Sequence, residues 1–358
     1  MKLPRNIMKI VIISPYQFRL HRGIERFTYS LANQLAEDYD LEIIIYTWAA
    51  KKPVEWGKWQ ERIKIRKAPR LRYFQEWLAR FYYWCWIKKD NPKCVLLNFL
   101  FHGENSLPKD RRYIYVLQYP ASQVPQRYVY IQKESRKFSN LYFVAVSRMV
   151  EKEALPYIAQ RRIEIILNGV DIARFSNLDY QTFPSKTLRL VTLAALEERK
   201  GIQFVIKAIK LLKDVDISYD IYGDGPYREE LLLLIGKLDL SSLVRVHKPI
   251  DNPADIYKNA DIFCLLSKGE AFPLAPLEAM ASGLPLIVSQ YPPFEEFVPE
   301  EVGIRVERED AFGVAEAIKS LMDPKKREEF GRQGRRLAEE KYSWKIIAKQ
   351  YYKILVNS

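Results

Sequence analysis

Apolar residues in this chain gather into short runs, and between the runs they recur at helical spacing. Residues 9–14 (KIVIIS) form a β-branched run with no polar alternation, the pattern of a strand buried on both faces. A loop follows (PYQFRLHRG, 15–23), and residues 24–39 then place Phe27, Leu31 and Leu35 on one helical face. LEIIIYTW (41–48) reads as the next strand, completing a β–loop–α–β unit that starts a doubly wound sheet. CVLLNFLF (94–101), YIYVLQY (113–119) and LYFVAVS (141–147) supply further strands, and RIEIILNGV (162–170) ends this half.

The pattern breaks at SNLDYQTFPSKT (176–187), a polar, turn-rich linker, and then restarts. LRLVTLAAL (188–196) is strand-like, residues 201–214 are helical, and ISYDIYGDG (217–225) is a strand ending in a Gly-Asp-Gly turn. A helix (227–238), a strand (243–250), a short helix (253–260), a strand (261–267) and the strand LPLIVS (284–289) follow. Two successive α/β units predict two Rossmann-like domains facing across a cleft, with ligands outside the carboxyl ends of the strands. The expected layout is a first domain at 1–175, the linker 176–187, a second domain at 188–340, and a C-terminal helix at 341–358 that crosses back to the first domain.

Composition narrows the classes. The 358 residues suffice for two domains of ordinary size. There is no run of about 18 apolar residues to span a bilayer, and residues 1–9 lack the apolar stretch of a signal peptide. Cys85, Cys94 and Cys264 have neither paired nor metal-like spacing, so a cytoplasmic, reducing location with packing roles is expected. The net charge of +13 is unevenly spread: the first 175 residues hold 31 Lys and Arg against 16 Asp and Glu. That half is suited to an anionic partner such as a phospholipid surface, nucleic acid or an acidic substrate; a merely soluble basic surface is the plain alternative.

The most informative stretch for chemistry is EAFPLAPLEAMASGLP (270–285), which directly follows a predicted strand. Glu270 and Glu278 stand eight residues apart, the second at the start of an apolar helix that stops at Gly283 with Pro285 beyond. A carboxylate before a helix and another at its start can bind hydroxyls, while the helix N-terminus holds an anion such as a diphosphate. Hydroxyls plus a diphosphate describe a nucleotide-sugar; an acid-capped amphipathic helix is the alternative.

Residues 66–89 (RKAPRLRYFQEWLARFYYWCWIKK) combine Trp77, Phe81, Trp84 and Trp86 with basic residues, read here as one helix. That composition suits contact with an anionic membrane face. The competing expectation, slightly favoured, is a helix packed on its own sheet through its aromatic face.

Over nearly its whole length the chain resembles the retaining GT-B glycosyltransferases of family four, which include lipopolysaccharide-core glucosyltransferases and phosphatidylinositol mannosyltransferases. The resemblance is carried by residues 14–36, VAVSRMV (144–150), IEIILNGVDIARF (163–175), ERKGIQFVIKAI (198–209), IYGDGPYREEL (221–231), the E-x7-E stretch and YSWKIIAKQYYKIL (342–355). It implies a GT-B fold and transfer of a sugar from a nucleotide diphosphate-sugar to a hydroxyl of a glycan or glycolipid. Gly23 matches a glycine whose bare backbone approaches the donor phosphates. Lys200 matches the lysine that neutralises the diphosphate, with Arg199 beside it. Ile250 lies where the backbone meets the nucleobase, Glu270 matches the residue binding donor-sugar hydroxyls, and Glu278 the one holding the ribose. Ala271, Phe272, Pro273 and Leu274 match the loop over the phosphates and sugar. No cofactor and no metal are implied, and no Asp-x-Asp is placed to hold a metal on the diphosphate.

The departures are specific. Ala194-Ala195 stand where Gly-Arg is common, Ala271 and Pro273 replace two frequent glycines, and YPPFEE follows LPLIVS where a Gly-Gly pair is usual. Gln118 occupies the position of a frequent histidine; an amide can hydrogen-bond an acceptor hydroxyl but does not titrate near neutral pH. His21, His102 and His247 have no metal or triad spacing, and only His21, bordering Gly23, is placed near the acceptor. The partners implied are a nucleotide diphosphate-sugar, an anionic glycan or glycolipid acceptor, and an anionic membrane on the inner face of the cell, without nucleic acid. The alternatives are a nucleotide-sugar epimerase on the same scaffold and a non-enzymatic anion or nucleic-acid binder.

Overall fold

The computed structural model describes residues 7–15, 23–48, 58–69, 75–98, 107–158, 162–175, 187–212, 214–250 and 252–356, the side chains of 75–80 excepted. The chain divides into two compact units, Met1–Gly169 with Trp344–Ser358, and Val170–Ser343. Of the expected linker at 176–187, only Thr187 falls within the described residues.

The first unit opens with β1 (Met8–Ile13), α1 (Gly23–Asp38), β2 (Leu41–Trp48), β3 (Ile63–Ala68), α2 (Gln75–Asp90) and β4 (Cys94–Asn98). It continues through β5 (Arg112–Leu117), α3 (Pro125–Ser135), β6 (Asn140–Ala145), α4 (Arg148–Ile158) and β7 (Ile163–Ile165). The sheet order is β3-β2-β1-β4-β5-β6-β7, every pairing parallel. Central strands read as unbroken apolar runs because helices cover both faces: Ile10, Val11, Ile43, Ile45, Val95 and Leu96 are all fully buried.

The expected single helix over 66–89 is corrected. Arg66 and Lys67 lie on strand β3, and the helix starts only at Gln75. The strand edge gives them a reason to be there: Arg66 ion-pairs at 2.5 Å with the buried carboxylate of Asp90, which also accepts a hydrogen bond from Tyr46 Oη at 2.6 Å. Within α2, Tyr83 and Ile87 are buried, and Tyr83 and Trp86 pack against Tyr46 of β2. Phe81 and Trp84 face solvent, with Lys88 Nζ 4.0 Å above the Trp84 ring.

The second unit contains β8 (Leu188–Leu193), a 3-10 turn at Glu198–Lys200, α5 (Ile202–Leu211), β9 (Ile217–Tyr222), α6 (Arg228–Lys237), β10 (Val244–His247), α7 (Ala254–Lys258) and β11 (Ile262–Leu265). Then come α8 (Leu274–Ala281), β12 (Leu286–Ser289), α9 (Pro292–Phe297), β13 (Gly303–Val306), α10 (Ala311–Ser320) and α11 (Pro324–Leu337). Its parallel sheet runs β10-β9-β8-β11-β12-β13. One face carries a core of Leu190, Val205, Ile209, Tyr219, Ile221, Leu231, Cys264, Ile287 and Ile318.

The last helix, α12 (Trp344–Val356), belongs to the first unit. Its aromatic stripe packs on α1: Trp344 and Tyr351 meet the Phe27 ring edge-on at 5.6 and 5.7 Å, and Tyr352 stacks on Tyr39 at 3.7 Å. The apolar spacing of α1 is therefore satisfied by a helix more than 300 positions away in sequence.

Candidate functional site

Doubly wound sheets bind ligands where the strand order reverses, outside the carboxyl ends. In the second unit that point lies between β8 and β11. Two loops leave it, residues 194–201 and 266–273, and backbone contacts hold them together. Lys268 N donates to Arg199 O at 2.9 Å. Gly201 adopts φ +70°, and a Cβ there would lie 2.1 Å from the Leu266 carbonyl oxygen, so both the backbone angle and the close approach require glycine.

This arrangement sets Lys200 against Glu270. Lys200 Nζ donates to Glu270 Oε1, and both side chains are 11% exposed. Ser267 Oγ donates to the same oxygen at 2.5 Å, and Arg199 Nη1 lies 3.6 Å from it. Burial alone would raise the Glu270 carboxyl; the Lys200 charge and hydrogen bond, Ser267 and Arg199 outweigh it and hold the group below its ordinary value. Arg199 otherwise braces the two loops, donating from Nε to Glu197 Oε2 at 2.6 Å and from Nη1 to Gly269 O at 3.3 Å.

Downstream, Ala271 is partly exposed, whereas the Phe272 ring is buried against Phe297 at 4.8 Å, leaving its backbone to the loop. Pro273, in an extended conformation, precedes α8, and no side chain caps the helix. Pro276 has no N–H, so the donors of the first turn are Leu274 and Ala275, an anion-binding arrangement.

Glu278 does not open this helix as the spacing suggested; it is the fifth residue of α8. Proline fits a first helical turn, which lets the helix begin at Leu274 ahead of Pro276. Glu278 is buried, with Tyr257 Oη of α7 at 3.5 Å from Oε2; that hydroxyl also donates to Ala275 O at 3.2 Å. At the other end of α8, Arg335 of α11 donates to Ala281 O at 2.6 Å and to Phe175 O at 3.0 Å. Ser267, Tyr257 and Arg335 are not evident from sequence. Only Ser267 carries a local signal, as the polar residue two positions beyond β11 and three before Glu270.

Ile250 lies beyond β10 and borders a cavity of about 200 Å³ with Arg189, Asp220, Tyr222 and Asn259 among its walls, a set that excludes Lys200, Glu270 and Glu278. Nearby, His247 stacks on Tyr222 at 4.5 Å and places Nε2 2.6 Å from Asp220 Oδ1.

In the first unit the order reverses between β1 and β4, and a polar network sits there. Asn98, fully buried at the end of β4, donates from Nδ2 to Ile24 O at 3.1 Å and to Thr28 Oγ1. Its Oδ1 accepts from Gln118 Nε2 at 3.1 Å. Because the Asn98 donors are committed to α1, the Gln118 amide is fixed with its nitrogen inward and its oxygen available. Gly23 is exposed at the first position of α1. His21 and His102 lie outside the described residues.

Comparisons with known proteins follow this division. The family model for glycosyl transferases group 1 matches residues 176–337, and that for glycosyltransferase family 4 matches residues 21–174. The chain is 31% identical over 165 residues to an N-acetyl-alpha-D-glucosaminyl L-malate synthase of Bacillus anthracis, covering 45% of this chain and 43% of that protein. It is 30% identical over 151 residues to the amylovoran biosynthesis glycosyltransferase AmsK of Erwinia amylovora, covering 39% and 37%. The chain thus spans about two fifths of the length of the curated relatives it matches. Among solved structures, sucrose-phosphate synthase from Thermosynechococcus elongatus superposes with TM-score 0.83 at 18% identity, over 98% of this chain and 100% of the other. Anabaena HepE in complex with UDP-glucose gives 0.80 at 17% identity, again over 98% and 100%.

Proposed function

The chain belongs to the GT-B glycosyltransferases of family four, and we propose that it moves a sugar from a nucleotide diphosphate-sugar to a hydroxyl of a glycan or glycolipid, with retention of configuration. The observation that carries this reading is the Lys200–Glu270–Ser267 group beside the uncapped N-terminus of α8, at the β8/β11 switch point. Positive charge, free backbone donors and an ionised carboxylate converge there, as a diphosphate next to sugar hydroxyls demands. In this reading Lys200 and the Leu274 and Ala275 amides hold the diphosphate, Glu270 takes sugar hydroxyls and Glu278 takes the ribose. UDP-glucose bound to the Anabaena neighbour supports a nucleotide-sugar of this class as donor.

The chemistry asks little covalent work of the protein. The glycosidic C–O bond to the diphosphate breaks, and negative charge grows on the departing phosphate, where Lys200 and the helix start stabilise it. The acceptor hydroxyl attacks on the face the nucleotide leaves, and its proton passes to a phosphate oxygen of the leaving group. No protein nucleophile and no metal ion are needed on this course. Gln118 and the basic first unit serve the acceptor, with the available amide oxygen of Gln118 accepting from its hydroxyl. The excess of Lys and Arg over the first 175 residues suits an anionic glycolipid, and the exposed Phe81, Trp84 and Lys88 side of α2 gives peripheral contact with an anionic cytoplasmic membrane face.

The test is a panel of nucleotide-sugars screened for thermal stabilisation, because a ligand of the native state raises the melting temperature. A shift with at least one member is expected; no shift with any would sink the assignment.

A further inference from the structure

We propose that Glu270 also discriminates against product: its charge weakens the hold of the second unit on a bare nucleoside diphosphate, so that the site favours the nucleotide-sugar over the nucleotide left by transfer. This inference rests on the donor role proposed for that unit and concerns how the same site separates substrate from product.

The geometry divides the carboxylate into two differently used atoms. Lys200, Ser267 and Arg199 all approach Oε1. Among the described residues Oε2 has no hydrogen-bond partner, so a hydroxyl can donate to it without displacing anything. The ammonium of Lys200 has three donors; Glu270 takes one, and the other two remain for phosphate oxygens. One edge of the pair thus offers donors to a phosphate, and the neighbouring edge offers an acceptor to a hydroxyl.

Neither partner is placed by side-chain chance. The loops carrying them are joined by the Lys268–Arg199 backbone hydrogen bond and by the contact of Gly201 with the Leu266 carbonyl. Lys200 therefore stays beside Glu270 when it binds a phosphate, and the phosphate comes within a side chain's reach of a second negative charge. Glu270 stays ionised at neutral pH, since its carboxyl is held below the ordinary value. In a site this poorly solvated the repulsion is weakly screened. A nucleotide-sugar offsets it by donating a hydroxyl to Oε2, whereas a bare nucleoside diphosphate has no group to place there. The product is consequently held less firmly than the substrate, and the Lys200–Glu270 pair stays in place as the nucleotide leaves.

The experiment is calorimetric titration of UDP, GDP and ADP into the full chain and its Glu270→Gln variant at neutral pH. The glutamine keeps the shape and an acceptor for Lys200 and Ser267 but removes the charge. The nucleotide that binds the wild type is expected to bind the variant about tenfold more tightly, a change of about 1.4 kcal/mol. Binding by the variant alone is the same result in stronger form. Equal or weaker binding by the variant overturns the inference while leaving the donor role standing. If none of the three nucleotides binds either protein, the donor reading fails and the inference with it. Should Glu270→Gln not fold, Glu270→Ala replaces it with the same direction expected, and Lys200→Met, which must lose nucleotide affinity, serves as the opposite control.

Discussion

Replacing Lys200 by Met tests whether the pair at the switch point is an energetic unit. The substitution removes the ammonium and leaves the Glu270 carboxylate 11% exposed, with Ser267 as its nearest donor and Arg199 3.6 Å away. Taking one partner from a buried pair costs about 3–5 kcal/mol when the other must stay charged. Glu270 can escape part of that by protonating. From an ordinary value of 4.5, neutralisation at pH 7 costs about 1.4 kcal/mol per unit, a ceiling of about 3.4 kcal/mol, and only about 0.7 at pH 5. The residual hydrogen bond from Ser267 reduces this, so the loss is expected to be greater at pH 7 than at pH 5 by up to about 2.7 kcal/mol, on top of the wild-type stabilisation lost at both.

The sign follows from linkage. In the wild type the folded carboxyl lies below its unfolded value, so its stabilisation is present above the unfolded value and fades as pH falls through the folded one. In the variant burial is the larger influence and the folded value rises, so the penalty grows with pH. The two curves separate from pH 5 to pH 7. Urea unfolding of both proteins at the two pH values, compared at equal slope, reads the difference. A loss below about 0.5 kcal/mol at pH 7, or an identical loss at both, would show that Lys200 and Glu270 do not stabilise the fold as a pair.

Three other outcomes are expected. Gly201→Ala forces a side chain into a left-handed conformation and onto the Leu266 carbonyl; a loss of roughly 2–4 kcal/mol should appear in the urea midpoint, and a change within error would mean the loops are not locked there. Arg335→Met strips donors from Ala281 O and Phe175 O, costing about 1–3 kcal/mol and loosening α8; nucleotide affinity measured by calorimetry should fall with stability, and an unchanged value would detach α11 from the site. Phe81→Ser combined with Trp84→Ala should cut co-sedimentation with vesicles containing anionic phosphatidylglycerol severalfold; equal sedimentation of variant and wild type would assign those side chains to solvent alone.

The strands easiest to read in advance are those buried on both faces. KIVIIS, LEIIIYTW and DIFCLLS each hold an unbroken apolar run because parallel central strands touch helices on each side. Strand β3 is hidden because it lies at the sheet edge, where Lys64 and Lys67 point to solvent and only its register with β2 marks it. β13, four residues containing Gly303 and Arg305, is too short and too mixed for any periodicity. Arg66 and Lys67, expected on a helix at 66–89, are misplaced for the same reason: an edge strand rich in Arg and Lys looks locally like a helix face.

The candidate site divides along a similar line. Glu270 and Glu278 stand out locally, because a helix start after a strand constrains residue types there, whereas Lys200 is marked only by the resemblance to the family. What spacing does not reveal is that Lys200 and Glu270 touch, since they are 70 positions apart and meet only because β8 and β11 are neighbours. Arg335 belongs to the same class: its guanidinium reaches Ala281 across 54 positions, and nothing in its own helix marks it. The Asn98 side chain, which orients Gln118 from 20 positions away, likewise becomes visible only when the sheet is assembled.

If the second unit holds a nucleotide-sugar through Glu270 and Glu278, one before α8 and one within it, then removing the buried Glu278 carboxylate must weaken that hold. The decisive measurement is calorimetric titration of the best-stabilising nucleotide-sugar into the wild type and into Glu278→Ala. The variant, still folded, is expected to lose at least about tenfold in affinity, as for a lost hydrogen bond to a charged group. Undiminished affinity in the variant would place the nucleotide-sugar elsewhere.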